Sequence, residues 1–158
     1  MLNLGPEGEV CEWKVGMYEP LPTWTHGSVA LAGDACHPTL PHLSQGAAMA
    51  IEDGATIAEV LSRAPDTKPD TIAKCLKVYE MSRQEWTANL AQMAFMSGRT
   101  LHLGEGKAKA ERDSMFQEHK TSGSVPDKWT SPDVQKMIYS NDCVEKVNAE
   151  FDKFYGSL

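Results

Sequence analysis

Asp34 closes a short apolar run, Val29-Ala30-Leu31-Ala32-Gly33, and is followed by Cys36, His37, Pro38, Pro41 and His42, then by Ser44-Gln45-Gly46-Ala47. A carboxylate at the C-terminal edge of a strand can accept hydrogen bonds from the hydroxyls of a sugar-like chain, and its charge strengthens them. A loop of small residues that opens a helix brings backbone amides close to a ligand, with the positive end of the helix dipole behind them. The two parts together suit an anionic, hydroxyl-rich cofactor. Gly-Asp alone is too common to signify. Gly33-Asp34 followed at this spacing by prolines, by Gln45-Gly46 and by Ile51-Glu52-Asp53-Gly54-Ala55 is a specific pattern.

Other chemistries fit less well. Cys36, His37 and His42 invite a metal, yet their spacing matches no closed Cys/His site and no second cluster completes one, so no metal is expected. The Gly-x-Ser-x-Gly elbow of a serine hydrolase is absent. Glu52 and Asp53 are adjacent carboxylates, but helix neighbours point in different directions, so they are expected to tie the helix to nearby backbone rather than share a proton. Trp13, Trp24, Trp86 and Trp129 are too scattered for a base-stacking platform and read as core or rim.

These residues need elements to hold them. Ser28–Ala32 reads as a buried strand, and Val10–Met17 as a second, short strand. The segment Tyr18–Thr25, with Pro20 and Pro22, reads as a connector that no central strand would tolerate. After Ser44, the spacing of Ala47, Ile51, Gly54, Ala58 and Leu61 predicts a helix with one narrow face of small residues, fit for close approach of a backbone or a flat ring. Residues 64–70 form a loop. Ile72, Leu76, Tyr79, Arg83, Trp86, Leu90 and Met93 then mark a long amphipathic helix closing near Gly98. A charged helix follows over Lys107–Lys120, and then a linker at 121–126. Ser131 is expected to cap a short helix with Pro132 at its first position, the favoured arrangement. A last helix places Val144, Val147, Phe151 and Phe154 on one side. The chain is thus expected to be mainly α with one or two short strands. It reads as a single partial domain, with residues 1–62 as the ligand-facing strand-loop-helix and 63–158 as a helical region.

Composition narrows the class. A length of 158 residues allows one ordinary domain, and 41% hydrophobic with 23% charged residues fits a globular protein. The net charge of −7 argues against nucleic acid or an anionic membrane as partner. No apolar run approaches the roughly 20 residues of a membrane span. The start, Met1-Leu2-Asn3-Leu4-Gly5-Pro6-Glu7, has neither the basic residues nor the apolar stretch of a signal peptide. Cys11, Cys36, Cys75 and Cys143 show no paired spacing, so reduced thiols and a cytoplasmic location are expected.

The segment GDACHPTLPHLSQGAAMAIEDGATIAEVL resembles the FAD-dependent aromatic hydroxylases, the salicylate hydroxylase-like flavoprotein monooxygenases, especially their fungal members. The resemblance extends upstream over Trp13–Trp24 and downstream to Trp129-Thr130-Ser131-Pro132. It implies the C-terminal part of the family's α/β fold, because the Gly-x-Gly-x-x-Gly turn that holds the FAD pyrophosphate does not occur here. It also implies FAD contacts at Gly33, Asp34, Pro41, Ser44, Gln45, Gly46 and Ala47. Asp34 would take the ribityl chain, Pro41 the ring edge, and the Ser44–Ala47 loop the pyrimidine end of the ring. Amides at that end would stabilise the negative charge of reduced flavin. Many members carry Asn two residues after Gln-Gly, where this chain has Ala48.

By resemblance the chain is part of an enzyme that uses NAD(P)H and FAD to hydroxylate an aromatic, polyketide-like or terpenoid-like small molecule. The chain alone is not expected to complete that reaction, and no residue stands out as the substrate base. Self-association, or a complementing N-terminal half, is expected to cover the exposed strand. Two other readings stay open: a flavin-free relative acting as an accessory or binding protein in biosynthesis, and a cofactor-independent isomerase or cyclase.

Overall fold

The computed structural model describes residues 13–122 and 131–158, together with Pro6, Gly8 and Cys11. Among them, two-residue strands β1 (Thr25–His26) and β2 (Val29–Ala30) form an antiparallel hairpin. Helices α1 (Gly46–Ser62), α2 (Pro69–Leu101), α3 (Lys107–Ser122), α4 (Pro132–Tyr139) and α5 (Cys143–Gly156) make up most of the rest. Two short 3₁₀ turns, Gly33–Ala35 and Pro41–Leu43, join the hairpin to α1. The mainly helical expectation holds.

Helices α1, α2 and α5 pack against one another and the hairpin lies on α2. One core cluster gathers Trp24, Cys36, Val60, Cys75, Val78, Tyr79, Val147 and Phe151, so every one of these elements contributes to it. A second cluster joins Met49, Leu90 and Ile138, which brings α4 onto the α1–α2 pair. The start of α5 is fixed by Asp142, whose side chain accepts from the amides of Val144 and Glu145 at 3.0 and 2.9 Å. Such a cap is worth about 1 kcal/mol. Arg112 of α3 donates to the carbonyls of Thr100 and Leu101, the last turn of α2.

Several expectations are corrected. Residues 13–17 form no strand, and Trp13 is 83% exposed; Val10 and Glu12 lie outside the described residues. The second strand is Thr25–His26 instead, at the end of the expected connector. Gly27, with φ of +54°, reverses the chain there as only glycine does readily. The strand expected to be buried is largely open: Val29 is 65% exposed and Leu31 also lies at the surface. It has only β1 beside it among the described residues.

The face foreseen for α1 also needs correction. Met49, Asp53, Thr56 and Val60 are the buried residues, whereas Ala47, Ile51, Gly54 and Ala58 point outward, Ile51 at 74% exposure. Helix α2 does not close at Gly98 but runs through it to Leu101. His42 lies so close to Gly98 that any side chain there would collide with the imidazole. Ser131 precedes α4, with Pro132 at its first position as foreseen, but its side chain makes no capping bond. Of the foreseen linker, Thr121 and Ser122 belong to α3, and 123–126 lie outside the described residues. Trp24 is core and Trp86 half-buried, while Trp129 is outside the described residues.

Candidate functional site

The site begins with a turn that favours glycine. Gly33 is buried with φ of +59°, and a Cβ on it would stand 3.2 Å from the Cβ of Ala50 on α1. The close approach of turn and helix leaves the next residue, Asp34, exposed at the edge of an open hollow. That hollow, of about 540 Å³, is lined by Asp34, Thr39, Pro41, Ser44, Gly46, Ala47 and Ala50. Five of the seven foreseen residues therefore share one surface. Gly33 lies behind it as the hinge of the turn, and Gln45 is half-buried beside it at the N-cap of α1. Thr39 and Ala50 are additions that the sequence pattern did not single out.

Helix α1 opens onto this hollow. Ser44, just before it, adopts a left-handed conformation with φ of 53°, uncommon for a residue with a side chain. Gln45 supplies no side-chain cap, so the first amides of α1 have no partner within the helix. The hollow thus sets an exposed carboxylate opposite a helix N-terminus. A ligand spanning it would meet an acceptor for hydroxyls at one end and amide donors at the other. That donor set fits the hydroxyl chain and the electron-rich ring edge of a flavin. Its walls at Gly46, Ala47 and Ala50 carry little bulk to keep a flat group away.

Behind the turn stands a buried polar network. Asp53 is fully buried; its Oδ2 accepts the Gly33 amide at 2.9 Å and lies 2.5 Å from His37 Nε2. Its Oδ1 accepts Arg83 Nε at 2.9 Å. Arg83 also donates to the Met49 carbonyl at 3.2 Å and pairs with Glu52 at 2.7 Å. Glu52 in turn accepts from Asn141. Burial by itself would raise the Asp53 carboxyl, but the hydrogen bonds from His37, the Gly33 amide and Arg83 outweigh it and hold it below the usual carboxylate range. Of the two carboxylates expected to tie the helix to neighbouring backbone, Asp53 does so through the Gly33 amide, whereas Glu52 meets the side chains of Asn141 and Arg83, and both converge on Arg83. The sequence gives Arg83 no special mark: it falls within the apolar stripe of α2, and only its charge at a buried position could have flagged it.

Ligating atoms of Cys36, His37 and Asp53 come within 4.8 Å of one another. Their chemistry is that of a hydrogen-bonded ion cluster. Asp53 is committed to three donors, one of them a guanidinium. Burial, reinforced by the Asp53 charge, pushes the Cys36 thiol up to about 12, so it stays protonated. A second hollow of about 540 Å³, which Cys36, His37 and Pro38 help to line, has mainly apolar walls, including Leu21, Trp24, Met81, Ala88 and Phe154.

The hollow thus pairs an acidic turn with a helix start, built on the Gly33–Ala47 pattern. Residues 17–94 match a family described as an FAD binding domain. The chain is 41% identical to the FAD-dependent monooxygenase atnJ of Arthrinium sp over 140 residues, 89% of this chain and 31% of that protein. It is 35% identical to 3-hydroxybenzoate 6-hydroxylase 2 of Aquipseudomonas alcaligenes over 105 residues, 66% of this chain and 31% of that protein. Among solved structures, CtdE in complex with FAD and a substrate superposes with a TM-score of 0.68 at 30% identity, over 89% of this chain and 30% of that one. By these matches the chain is related to the FAD-dependent monooxygenases, with a 3-hydroxybenzoate hydroxylase and a salicylate hydroxylase among the similar proteins. It spans about 31% of the length of these curated relatives. Among the described residues, no helix is long and apolar enough to cross a membrane.

Proposed function

We propose that this chain forms the ribityl- and ring-facing wall of the FAD site in a monooxygenase that uses NAD(P)H to hydroxylate an aromatic or related small molecule. The observation that carries the reading is the shared hollow of Asp34, Pro41, Ser44, Gly46 and Ala47. When bound, the flavin supplies the redox chemistry: reduction by nicotinamide and activation of oxygen. This chain's residues bind and orient. Asp34 accepts hydrogen bonds from the ribityl hydroxyls, and Pro41 sets the ring edge. The amides that open α1, from Gly46 onward, face the pyrimidine end and stabilise negative charge there. The Gln45 carbonyl accepts the Met49 amide at 2.9 Å and so starts the helix, and Gly33 lets the turn approach α1.

The adenine and phosphate end of FAD finds no glycine-rich turn in these residues, so a further polypeptide segment of the family fold completes the site. The test is an FAD titration followed by flavin absorbance and fluorescence. The chain is titrated alone and mixed with the N-terminal part of a curated relative. Binding only in the mixture, weakened about tenfold to hundredfold by Asp34→Ala, is the expected result, since a hydrogen bond to a charged group is worth about 1.5–3 kcal/mol. Equal affinity of wild type and Asp34→Ala removes Asp34 from the site. Absence of flavin binding in every mixture overturns the reading in favour of a flavin-free protein.

A further inference from the structure

The Asp34 carboxylate accepts no hydrogen bond from any described residue, so nothing aims it except the backbone that carries it. On its outer side the Tyr18 hydroxyl donates to the carbonyls of Asp34 and Ala35 at 3.3 and 2.8 Å; from the interior, that backbone is held by one buried oxygen. Oδ2 of Asp53 takes the amide of Gly33 at 2.9 Å and lies 2.5 Å from the ring of His37, so the residues on either side of the turn bearing Asp34 meet on the same atom. The other Asp53 oxygen is held by Arg83 at 2.9 Å, and Arg83 is itself braced by the Met49 carbonyl and Glu52. Asp53, Arg83 and His37 are all nearly or wholly excluded from solvent.

Packing alone does not call for these ions. Helices α1 and α2 already meet through Val60 with Val78 and Tyr79 in one cluster and Met49 with Leu90 in the other. Exchanging a buried ion pair for apolar side chains of similar volume is often neutral or stabilising. The ions contribute directional bonds to one turn, which apolar side chains do not supply. We propose that Asp53, held by Arg83, is a positioning residue of the cofactor site: it fixes the Gly33–His37 turn and thereby directs Asp34, without touching the ligand itself. The inference rests on the reading of Asp34 as the ribityl contact.

Two measurements test it, one without flavin and one with it. In the first, amide hydrogen exchange is followed by NMR in wild type, in Asp53→Asn and in Asp53→Leu/Arg83→Met, which removes both charges together. The Gly33 amide should lose at least about tenfold of its protection in the double variant, while amides in the middle of α2, such as Val78, keep theirs. Unchanged protection at Gly33 overturns the proposal. Should the double variant lose its helical circular dichroism, the same comparison is made on Asp53→Asn, which keeps the side-chain volume.

In the second, FAD is titrated against the same variants mixed with the N-terminal part of a curated relative. The double variant should bind FAD about tenfold or more weakly, and adding Asp34→Ala to it should cost nothing further. A general loss of structure would instead add to the effect of Asp34→Ala. Additive losses therefore overturn the proposal even where affinity falls. If Asp34→Ala alone leaves affinity unchanged, the flavin reading fails by itself, and the claim that Asp53 directs a ligand contact falls with it. Should Asp34→Ala weaken binding while the double variant binds as wild type, the flavin reading stands and the positioning role is lost.

Discussion

Oε2 of Glu80, buried on α2, accepts the Oγ1 of Thr25 at 2.7 Å and the Thr25 amide at 3.1 Å. The same oxygen accepts the Trp24 amide and the Thr23 hydroxyl, each at 3.0 Å, while Oε1 meets Lys77 at 2.5 Å. A single helical carboxylate thus holds the start of the hairpin and, through it, the placement of Trp24 in the core. Glu80→Ala leaves the buried Trp24 amide without its acceptor and the Thr25 amide with only the Thr23 Oγ1 at 3.4 Å, and should cost about 2–3 kcal/mol. Urea unfolding followed by tryptophan fluorescence measures it; a loss below about 1 kcal/mol would show that the hairpin is held by packing alone.

Acid should weaken the fold through the same groups. In Glu80, burial acts to raise the carboxyl, but the bonds from Lys77, Thr25, Trp24 and Thr23 prevail and hold it low, as those around Asp53 do there. Ordinary values in the unfolded chain are about 4.3 for Glu and about 3.9 for Asp. With the folded values lower, the stability these groups contribute is present above the unfolded values and is lost as pH falls through the folded ones. Thermal midpoints should therefore drop steeply as the pH is taken below about 4. Glu80→Gln should start lower and show a shallower acid limb. An equally steep limb in that variant would assign the pH dependence to other carboxylates.

Removing one partner of the buried pair should be worse than removing both. Arg83→Met strands the fully buried Asp53 charge and is expected to cost about 3–5 kcal/mol, while Asp53→Leu/Arg83→Met, which leaves the buried Gly33 amide without its acceptor, should cost only about 1–3 kcal/mol. Calorimetric or denaturant unfolding of the two variants decides this. Equal destabilisation would mean that the site cannot close over apolar replacements.

Thiol reactivity should follow burial. Cys11 is exposed and Cys143 partly so, whereas Cys36 and Cys75 are buried. Burial raises the Cys75 thiol as well as that of Cys36. At pH 8 an aromatic disulfide reagent should label Cys11 first and Cys143 next, and should reach Cys36 and Cys75 only on unfolding. Rapid labelling of all four in the native protein would contradict this arrangement.

The outward side of α1 predicts association when no other part of the family fold covers it. Ile51, with Val29 and Leu31 of the β2 segment, leaves apolar surface open to water, and β2 has an unpaired edge among the described residues. Sedimentation at rising concentration should show oligomers that Ile51→Glu together with Val29→Lys disperses. A wild-type chain that stays monomeric at high concentration, with no binding of an apolar dye, speaks against it.

Much of this was legible from residue order because the pattern around Asp34 is local. Gly33-Asp34, Pro41 and the Ser44–Ala47 loop lie within fifteen positions, and short-range geometry brings Asp34, Pro41, Ser44, Gly46 and Ala47 to one hollow. Arg83 was not legible as a partner, because its approach to Asp53 depends on how α1 and α2 cross. The face of α1 misled for a different reason. Periodicity reports a stripe without saying what lies against it, and the stripe of Ala47, Ile51, Gly54 and Ala58 faces away from the helices present here. The inner stripe was harder to see because Asp53 and Thr56, both fully buried, stand among its apolar members.

Helix α1 consequently carries two sets of demands along its 17 residues. Inward, Met49, Asp53, Thr56 and Val60 are committed to the core; outward, Ala47, Ala50, Ile51, Gly54 and Ala58 are small or apolar although they face solvent. A helix at a protein's surface ordinarily leaves half its positions open to nearly any polar residue. This one leaves few, so random substitution along it should be tolerated as poorly as in an interior helix. A saturation scan reading flavin affinity, in the mixture with the N-terminal part of a relative, beside fold stability would separate its two sides: inner changes would lower both quantities, and changes at Ala47 and Ala50, which line the hollow, the first alone.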